Sequence, residues 1–146
     1  MLRIVIDTNV LIAAFFHDEV DSETVLRLVI RGAVSLLLTR EIEDEYLMAI
    51  LGHIIDAGVP RSLALAAMRK TLRLARKAVP VPSVTAELGF GCSDKTDEKF
   101  LVCAATSLAD CVVSMDSHLS EVSVPPAPVL SPWQFLREHP GLKRLA

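Results

Sequence analysis

Short apolar runs alternate with longer amphipathic segments along most of the chain. Apolar runs of strand length predict buried strands at residues 2–6, 34–38 and 111–114. Residues 79–82 predict an extended edge segment because prolines interrupt them, and a further short strand is predicted at residues 129–130. Strands that alternate with helices indicate a mostly parallel sheet, so we predict a three-layer α/β/α sandwich.

Helix signals fill the segments between these runs. Helices are predicted over approximately residues 9–15, 23–32, 40–52, 60–77, 97–108 and 133–137. Whether the third of them continues to Gly58 is left open. The fourth begins at Pro60 and has an apolar stripe that predicts its inward face, formed by Leu65, Met68, Leu72 and Ala75. The longest irregular stretch, residues 83–96, predicts a mobile loop.

Length and composition are typical of a single domain that spans residues 1–146. With 51% hydrophobic residues, the chain can bury a core and has apolar surface to spare for a partner. No apolar run approaches the roughly 18 residues of a membrane span, and the N-terminus does not resemble a signal peptide. Cys92, Cys103 and Cys111 lack metal-type spacing and are expected to be reduced, which predicts a cytoplasmic protein.

Four acidic residues lie where a functional role is a serious hypothesis. Asp7 directly follows the first predicted strand, and Asp116 follows the third after Met115. The carboxyl ends of parallel strands meet at one edge of a sheet, where open α/β sheets place their chemistry. Glu45 flanks the inward stripe of its helix, and Asp97 begins an amphipathic helix. Each has an ordinary alternative: Asp7 and Asp97 as helix caps, Glu45 as a solvated flank residue, and Asp116 as a turn residue.

Together the four acids predict a divalent metal ion. Two carboxylates about 5 Å apart repel each other by roughly 3 kcal/mol at an effective dielectric constant of ~20. Four of them require a cation to stay ionised, and oxygen ligands without Cys or His favour Mg²⁺ or Mn²⁺. Such an ion polarises a phosphate and activates water for in-line attack. The sequence therefore predicts metal-dependent phosphodiester hydrolysis.

Several segments resemble the signatures of PIN-domain nucleases. Residues 4–11 (IVIDTNVL) are similar to the opening strand of that family, and residues 97–104 (DEKFLVCA) to its second signature. Residues 109–116 (ADCVVSMD) are similar to its third, and residues 41–47 supply its helical glutamate, best matched by Glu45. The resemblance is strongest to the toxin halves of prokaryotic toxin–antitoxin pairs. It implies a Mg²⁺- or Mn²⁺-dependent ribonuclease, commonly a homodimer, that an antitoxin protein silences.

Carried over by position, the resemblance implies a set of catalytic, metal-binding acids: Asp7, Glu45, Asp97 and Asp116. It also implies that Asn9 and Ser114 orient these acids or a bound water. Many members carry another acid two residues after the last one, where this chain has His118. Whether one or two metal ions bind is therefore left open.

Two other classes of protein are discounted. A haloacid-dehalogenase-type phosphatase needs a second Asp two residues after Asp7, where this chain has Asn9. A receiver domain needs an acidic pair near its start and a Lys just after a late strand, and neither is evident in the sequence. One alternative from a different class stays open, namely a PIN-like module of RNA processing that binds or assembles with little catalysis.

The charge distribution predicts one basic surface on an otherwise acidic protein. The formal net charge is −3, yet residues 1–60 hold ten acids against four bases, and residues 61–80 hold six bases and no acid. Four of these bases form a helical stripe: Arg69, Arg73, Arg76 and Lys77. Because a cluster of carboxylates repels a phosphate backbone, we predict that this basic stripe binds RNA, an acidic antitoxin segment, or both. A plain solvated helix face is the alternative left open.

Overall fold

The structure, a computed structural model, describes residues 1–84 and 89–146, apart from the side chain of Ser117. Within these residues the strands are β1 (Arg3–Ile6), β2 (Ser35–Leu38), β3 (Val79–Pro80), β4 (Cys111–Val113) and β5 (Val129–Leu130). The helices are α1 (Thr8–Phe16), α2 (Val20–Ile30), α3 (Arg40–Asp56), α4 (Arg61–Lys77), α5 (Glu98–Ser107), α6 (Ser117–Ser120) and α7 (Pro132–Glu138). Short 3₁₀ turns cover Lys95–Asp97 and Pro140–Leu145.

The strands of the described residues form one parallel sheet in the order β3-β2-β1-β4-β5. The chain moves from β1 through β2 to β3 in one direction and then crosses back to β4. Right-handed crossovers therefore place α1 to α4 on one face of the sheet and α5 on the other. In the central strand, Ile4, Val5 and Ile6 are fully buried because both faces are covered. This architecture confirms the predicted three-layer α/β/α sandwich.

The structure settles one boundary that the sequence left open. Helix α3 continues to Asp56, four residues beyond the predicted end at Gly52. Its start is as predicted, since the Thr39 hydroxyl accepts a hydrogen bond from the Ile42 amide at 3.2 Å. Of the predicted mobile loop at 83–96, residues 85–88 lie outside the described residues, and a 3₁₀ turn begins at Lys95.

The predicted inward face of α4 is wrong. The buried residues of this helix are Ala67, Thr71 and Leu74, whereas Leu65 and Leu72 are 45% and 44% exposed. The small Ala67 permits close approach, and the Thr71 hydroxyl donates to the Ala67 carbonyl at 2.9 Å, so that burying it leaves no polar group unpaired. The helix therefore packs on α2, α3 and β2 with two leucines left at the surface.

Two further observations bear on the compartment. Among the described residues, no helix is both long and apolar enough to cross a membrane. The three cysteines, Cys92, Cys103 and Cys111, are buried and unpaired.

Candidate active site

The ends of β1 and β4 form the centre of the candidate site. Strand β1 pairs with β4 up to Ile6 and Val113, and the Asp7 amide donates to the Val113 carbonyl at 2.9 Å. Asp7 therefore lies beside the residues that follow β4, and it is only 4% exposed. The parallel register brings two distant segments of the chain together at the carboxyl edge of the sheet.

A single hydroxyl links the acids that follow these two strands. Ser114 Oγ donates to Asp7 Oδ2 at 2.6 Å and accepts from the Asp116 amide at 2.9 Å. Asn9 Oδ1 accepts from the Met115 amide at 3.3 Å and thereby ties the first turn of α1 to the same loop. Both residues that the resemblance implied as orienting groups thus make hydrogen bonds within this site.

Helix capping does not account for Asp7 or Asp97. Each occupies the N-cap position of a helix, α1 and α5 respectively, and neither side chain makes a capping hydrogen bond. Asp7 turns to Ser114 instead. Nearby Asp94 is a genuine cap, since its carboxylate accepts from the Thr96 amide at 3.0 Å.

Asp97 and Asp116 meet at His118. The His118 Nδ1 atom lies 3.3 Å from Asp116 Oδ1 and 3.9 Å from Asp97 Oδ2. Asp116 Oδ1 also accepts from the His118 amide at 2.8 Å. The packing of α5 positions Asp97, because Phe100 and Leu101 in its first turn are fully buried.

Glu45 reaches the site from α3. The next residue, Tyr46, is fully buried, and its hydroxyl donates to the Ile6 carbonyl, which fixes α3 to the end of β1. Glu45 Oε2 accepts a hydrogen bond from the Thr8 hydroxyl, and Oε1 accepts one from the Lys99 ammonium group. Both carboxylate oxygens of Glu45 therefore have protein partners.

Burial and like charges raise the pKa of two of these acids. The pKa of Asp7 is raised from 3.8 to about 6, chiefly by burial and also by the charges of Asp116 and Glu45, against the lowering effect of the Ser114 hydrogen bond. The pKa of Asp97 is raised from 3.8 to about 7 by burial, by its contact with Asp116 and by the charge of Asp7. The structure thus brings the predicted quartet into one electrostatically connected cluster. Its role as a metal site stays a prediction.

The donor set of this acidic cluster fits a hard divalent cation. The donors are carboxylate oxygens, and the raised pKa values are a sign of negative charge that a cation would offset. Within the described residues, the ligand atoms of Asp94, Asp97 and His118 all lie within 4.8 Å of one another. Of these three, only Asp97 was predicted as a ligand. The signal for His118 was its position, where many PIN domains have a further acid.

Sequence reasoning missed Lys99 altogether. Its side chain is 14% exposed and pairs with Glu45 across the gap between α5 and α3. The position of Lys99, two residues after Asp97, gave no sign of which way its long side chain would turn.

The basic stripe on α4 lies apart from the acidic cluster. Its members are all exposed, and none forms an ion pair with an acid of the described residues. Arg73 and Lys70 line a cleft of about 200 Å³ between α1, α2 and α4 that also contains Phe15 and Leu74. Lys70 Nζ is 5.7 Å from the ring centroid of Phe15. Since Phe15 lies seven residues after Thr8, this cleft is set off from the acids by ~10 Å along α1.

Fold and site together define a class of protein, a parallel α/β domain that carries clustered acids at the carboxyl edge of its sheet. The family model of the PIN domain matches residues 3–118, and the chain belongs to the PIN-domain family. PIN domains are generally nucleases and typically use a divalent metal ion. A comparison with curated proteins gave no significant match.

Proposed function

We propose that this protein is a metal-dependent ribonuclease that hydrolyses RNA phosphodiester bonds at the acidic cluster. The observation that carries the proposal is the convergence of four acids from separate elements of a PIN-domain fold, namely Asp7, Glu45, Asp97 and Asp116. Their mutual repulsion disfavours the folded state unless a cation is bound, which supports a binding role rather than a structural one.

The proposed ligands of Mg²⁺ or Mn²⁺ are the carboxylates of the cluster. Asp7 and Asp116 are held in fixed orientation by the Ser114 hydroxyl, and Asp97 is presented by the start of α5. When bound, the ion supplies Lewis-acid polarisation of the scissile phosphate. Asp94 and His118 extend the cluster and are the groups that a second ion would use.

The charge distribution supports RNA as the substrate. Apart from α4, the chain is acidic, so that a polyanion needs a separate basic surface to approach the site. The exposed basic stripe Arg69, Arg73, Arg76 and Lys77 would meet this need. An RNA strand in contact with both regions would run along α1.

We further propose that the protein is the toxin of a cytoplasmic toxin–antitoxin pair and forms a homodimer. The resemblance described above supports the toxin role. The cleft beside α4 suits an antitoxin segment that is both apolar and acidic, because Phe15 and Leu74 line it together with Lys70 and Arg73. Exposed apolar residues on α3 and α4 would supply the dimer contact.

The test is cleavage of labelled single-stranded RNA, with DNA of the same sequence in parallel, in the presence of Mn²⁺, Mg²⁺ or EDTA. We expect RNA to be cut with either metal and not with EDTA. Asp116→Asn should slow cleavage by at least ~100-fold, since even outer-shell changes at metal sites cost about 10- to 100-fold. Asp44→Asn is the matched control, because Asp44 is an exposed acid on α3.

Two results would overturn this proposal. One is cleavage that persists at full rate in EDTA or in the Asp116→Asn protein. The other is a wild-type protein that binds Mn²⁺ yet cuts neither RNA nor DNA, which would favour the alternative of a binding module.

A further inference from the structure

Lys99 places a positive charge inside the acidic cluster. Its ammonium group donates to Glu45 Oε1, and the side chains of Lys99 and Glu45 are only 14% and 28% exposed. In the part of the chain that the structure describes, no other Lys or Arg forms an ion pair with any of the four acids. A lysine is rarely this far from water without a specific partner.

The four acids are therefore not equivalent. Glu45 has a cation on one oxygen and the Thr8 hydroxyl on the other. Asp7, by contrast, has a neutral hydroxyl partner, and its pKa is raised. A divalent ion would meet three acids without a basic partner and one that the protein has already neutralised.

We infer that Lys99 is a positioning residue that holds Glu45 in place and competes with the metal ion for its carboxylate. The inference rests on the proposed metal site. Lys99 must release Glu45 before that carboxylate can serve as a metal ligand, so Lys99 lowers the metal affinity of the cluster. The released side chain has room, because Lys99 also lines a polar cleft of about 270 Å³ with Thr39 and Thr96.

The experiment is a titration of the purified protein with Mn²⁺, followed by calorimetry or by the electron paramagnetic resonance of free Mn²⁺. Lys99→Met should bind Mn²⁺ roughly tenfold tighter, since it removes a repelling charge at an effective dielectric constant of ~20. Lys99→Arg should stay close to wild type because it keeps the charge. Lys95→Met is the matched control: Lys95 belongs to the adjacent 3₁₀ turn, is 76% exposed and pairs with Glu98.

Glu45→Gln completes the cycle and separates competition from a general charge effect. In the Lys99→Met background, Glu45→Gln should return the Mn²⁺ affinity to about the wild-type value, because the gain depends on the freed carboxylate. Without metal, Lys99→Met should also melt at a lower temperature than wild type, since Glu45 then loses its counter-charge. Lys99→Gln provides a second variant if Lys99→Met does not fold.

The inference is overturned if folded Lys99→Met or Lys99→Gln protein binds Mn²⁺ no more tightly than wild type. It is also overturned if the gain survives Glu45→Gln. Neither readout uses RNA, so a protein that shows the full cycle but cuts no nucleic acid would refute the ribonuclease proposal alone.

Discussion

Asp7 is ionised at neutral pH only at a cost to the fold. Its carboxyl group is nearly completely buried, it faces the charges of Asp116 and Glu45, and its pKa is raised from 3.8 to about 6. At about 1.4 kcal/mol per pKa unit, ionising Asp7 lowers the free energy of unfolding by about 3 kcal/mol in metal-free protein. A charge held at this cost is better explained by the cation it attracts than by the packing around it.

Asp7→Asn should therefore stabilise the metal-free protein. The amide is nearly isosteric and can still accept the Ser114 hydrogen bond, while the buried charge is removed. In EDTA we expect the melting temperature to rise by roughly 5–10 °C, given about 2–4 °C per kcal/mol for a domain of this size. With saturating Mn²⁺ the order should reverse, because only the wild type gains binding energy. Asp44→Asn should match wild type, and a lower melting temperature of Asp7→Asn in EDTA would contradict this expectation.

The same shifts in pKa predict how stability depends on pH. The pKa values of Asp7 and Asp97 are raised to about 6 and about 7, so between pH 4 and pH 7 the folded protein binds more protons than the unfolded chain. The contribution of these two acids to the free energy of unfolding must then fall as the pH rises through this window. Glu19, with a lowered pKa, acts in the opposite direction and makes a comparison with a variant necessary.

The measurement is the melting temperature in EDTA from pH 4 to pH 7.5 for wild type and for the Asp7→Asn, Asp97→Asn double variant. The gap between the two profiles should widen with pH in favour of the variant. A constant gap would mean that neither acid titrates abnormally in the fold.

At the scale of elements, strands were easier to predict from the sequence than helix faces. A buried parallel strand is a continuous apolar run, so residues 2–6 and 111–114 identified β1 and β4 and, with them, the strand-end acids Asp7 and Asp116. Helix α4 was misjudged because size-weighted hydrophobicity selects Leu65 and Leu72, whereas close packing buried smaller residues. The pairing of Lys99 with Glu45 could not be predicted either, since it depends on how α5 docks beside α3.

The corrected orientation of α4 leaves its basic stripe free to bind a polyanion. Arg73→Ala, Arg76→Ala and Lys77→Ala should each weaken RNA binding and flatten the slope of log K against log salt by roughly 0.7 for every phosphate that the variant no longer neutralises. Arg61→Ala, at the opposite end of the same helix, is the control and should leave the slope unchanged. If all three slopes equal that of wild type and cleavage is unimpaired, the helix is a solvated face and the RNA path lies elsewhere.

At the scale of the whole molecule, the surface retains more apolar area than the sheet and core require. On α3, Met48 and Ile55 are 69% and 76% exposed, and Leu65 and Leu72 on α4 are also exposed. The sequence predicted spare apolar surface from composition, and it predicted the three layers from the alternation of strands and helices. It did not provide the strand order, because pairing depends on interactions between segments far apart in the chain.

We expect the α3–α4 surface to form the homodimer. Light scattering coupled to gel filtration should give the mass of a dimer for wild type, and Ile55→Glu should give a monomer because it places a charge in the interface. Val124→Glu is the control, since Val124 is 80% exposed and lies outside the helices and strands. A wild-type protein that stays monomeric at high concentration would contradict the proposed dimer.

The acidic cluster as a metal site is tested most directly by anomalous diffraction from crystals soaked in Mn²⁺. An Mn²⁺ peak should lie within roughly 2–2.6 Å of carboxylate oxygens from Asp7, Asp97 and Asp116, and it should be absent from Asp7→Asn crystals. The proposed metal site would be contradicted by crystals that show no peak at this cluster at an Mn²⁺ concentration that supports RNA cleavage. A peak confined to Asp94 and His118, without a bond to Asp7, would contradict it equally.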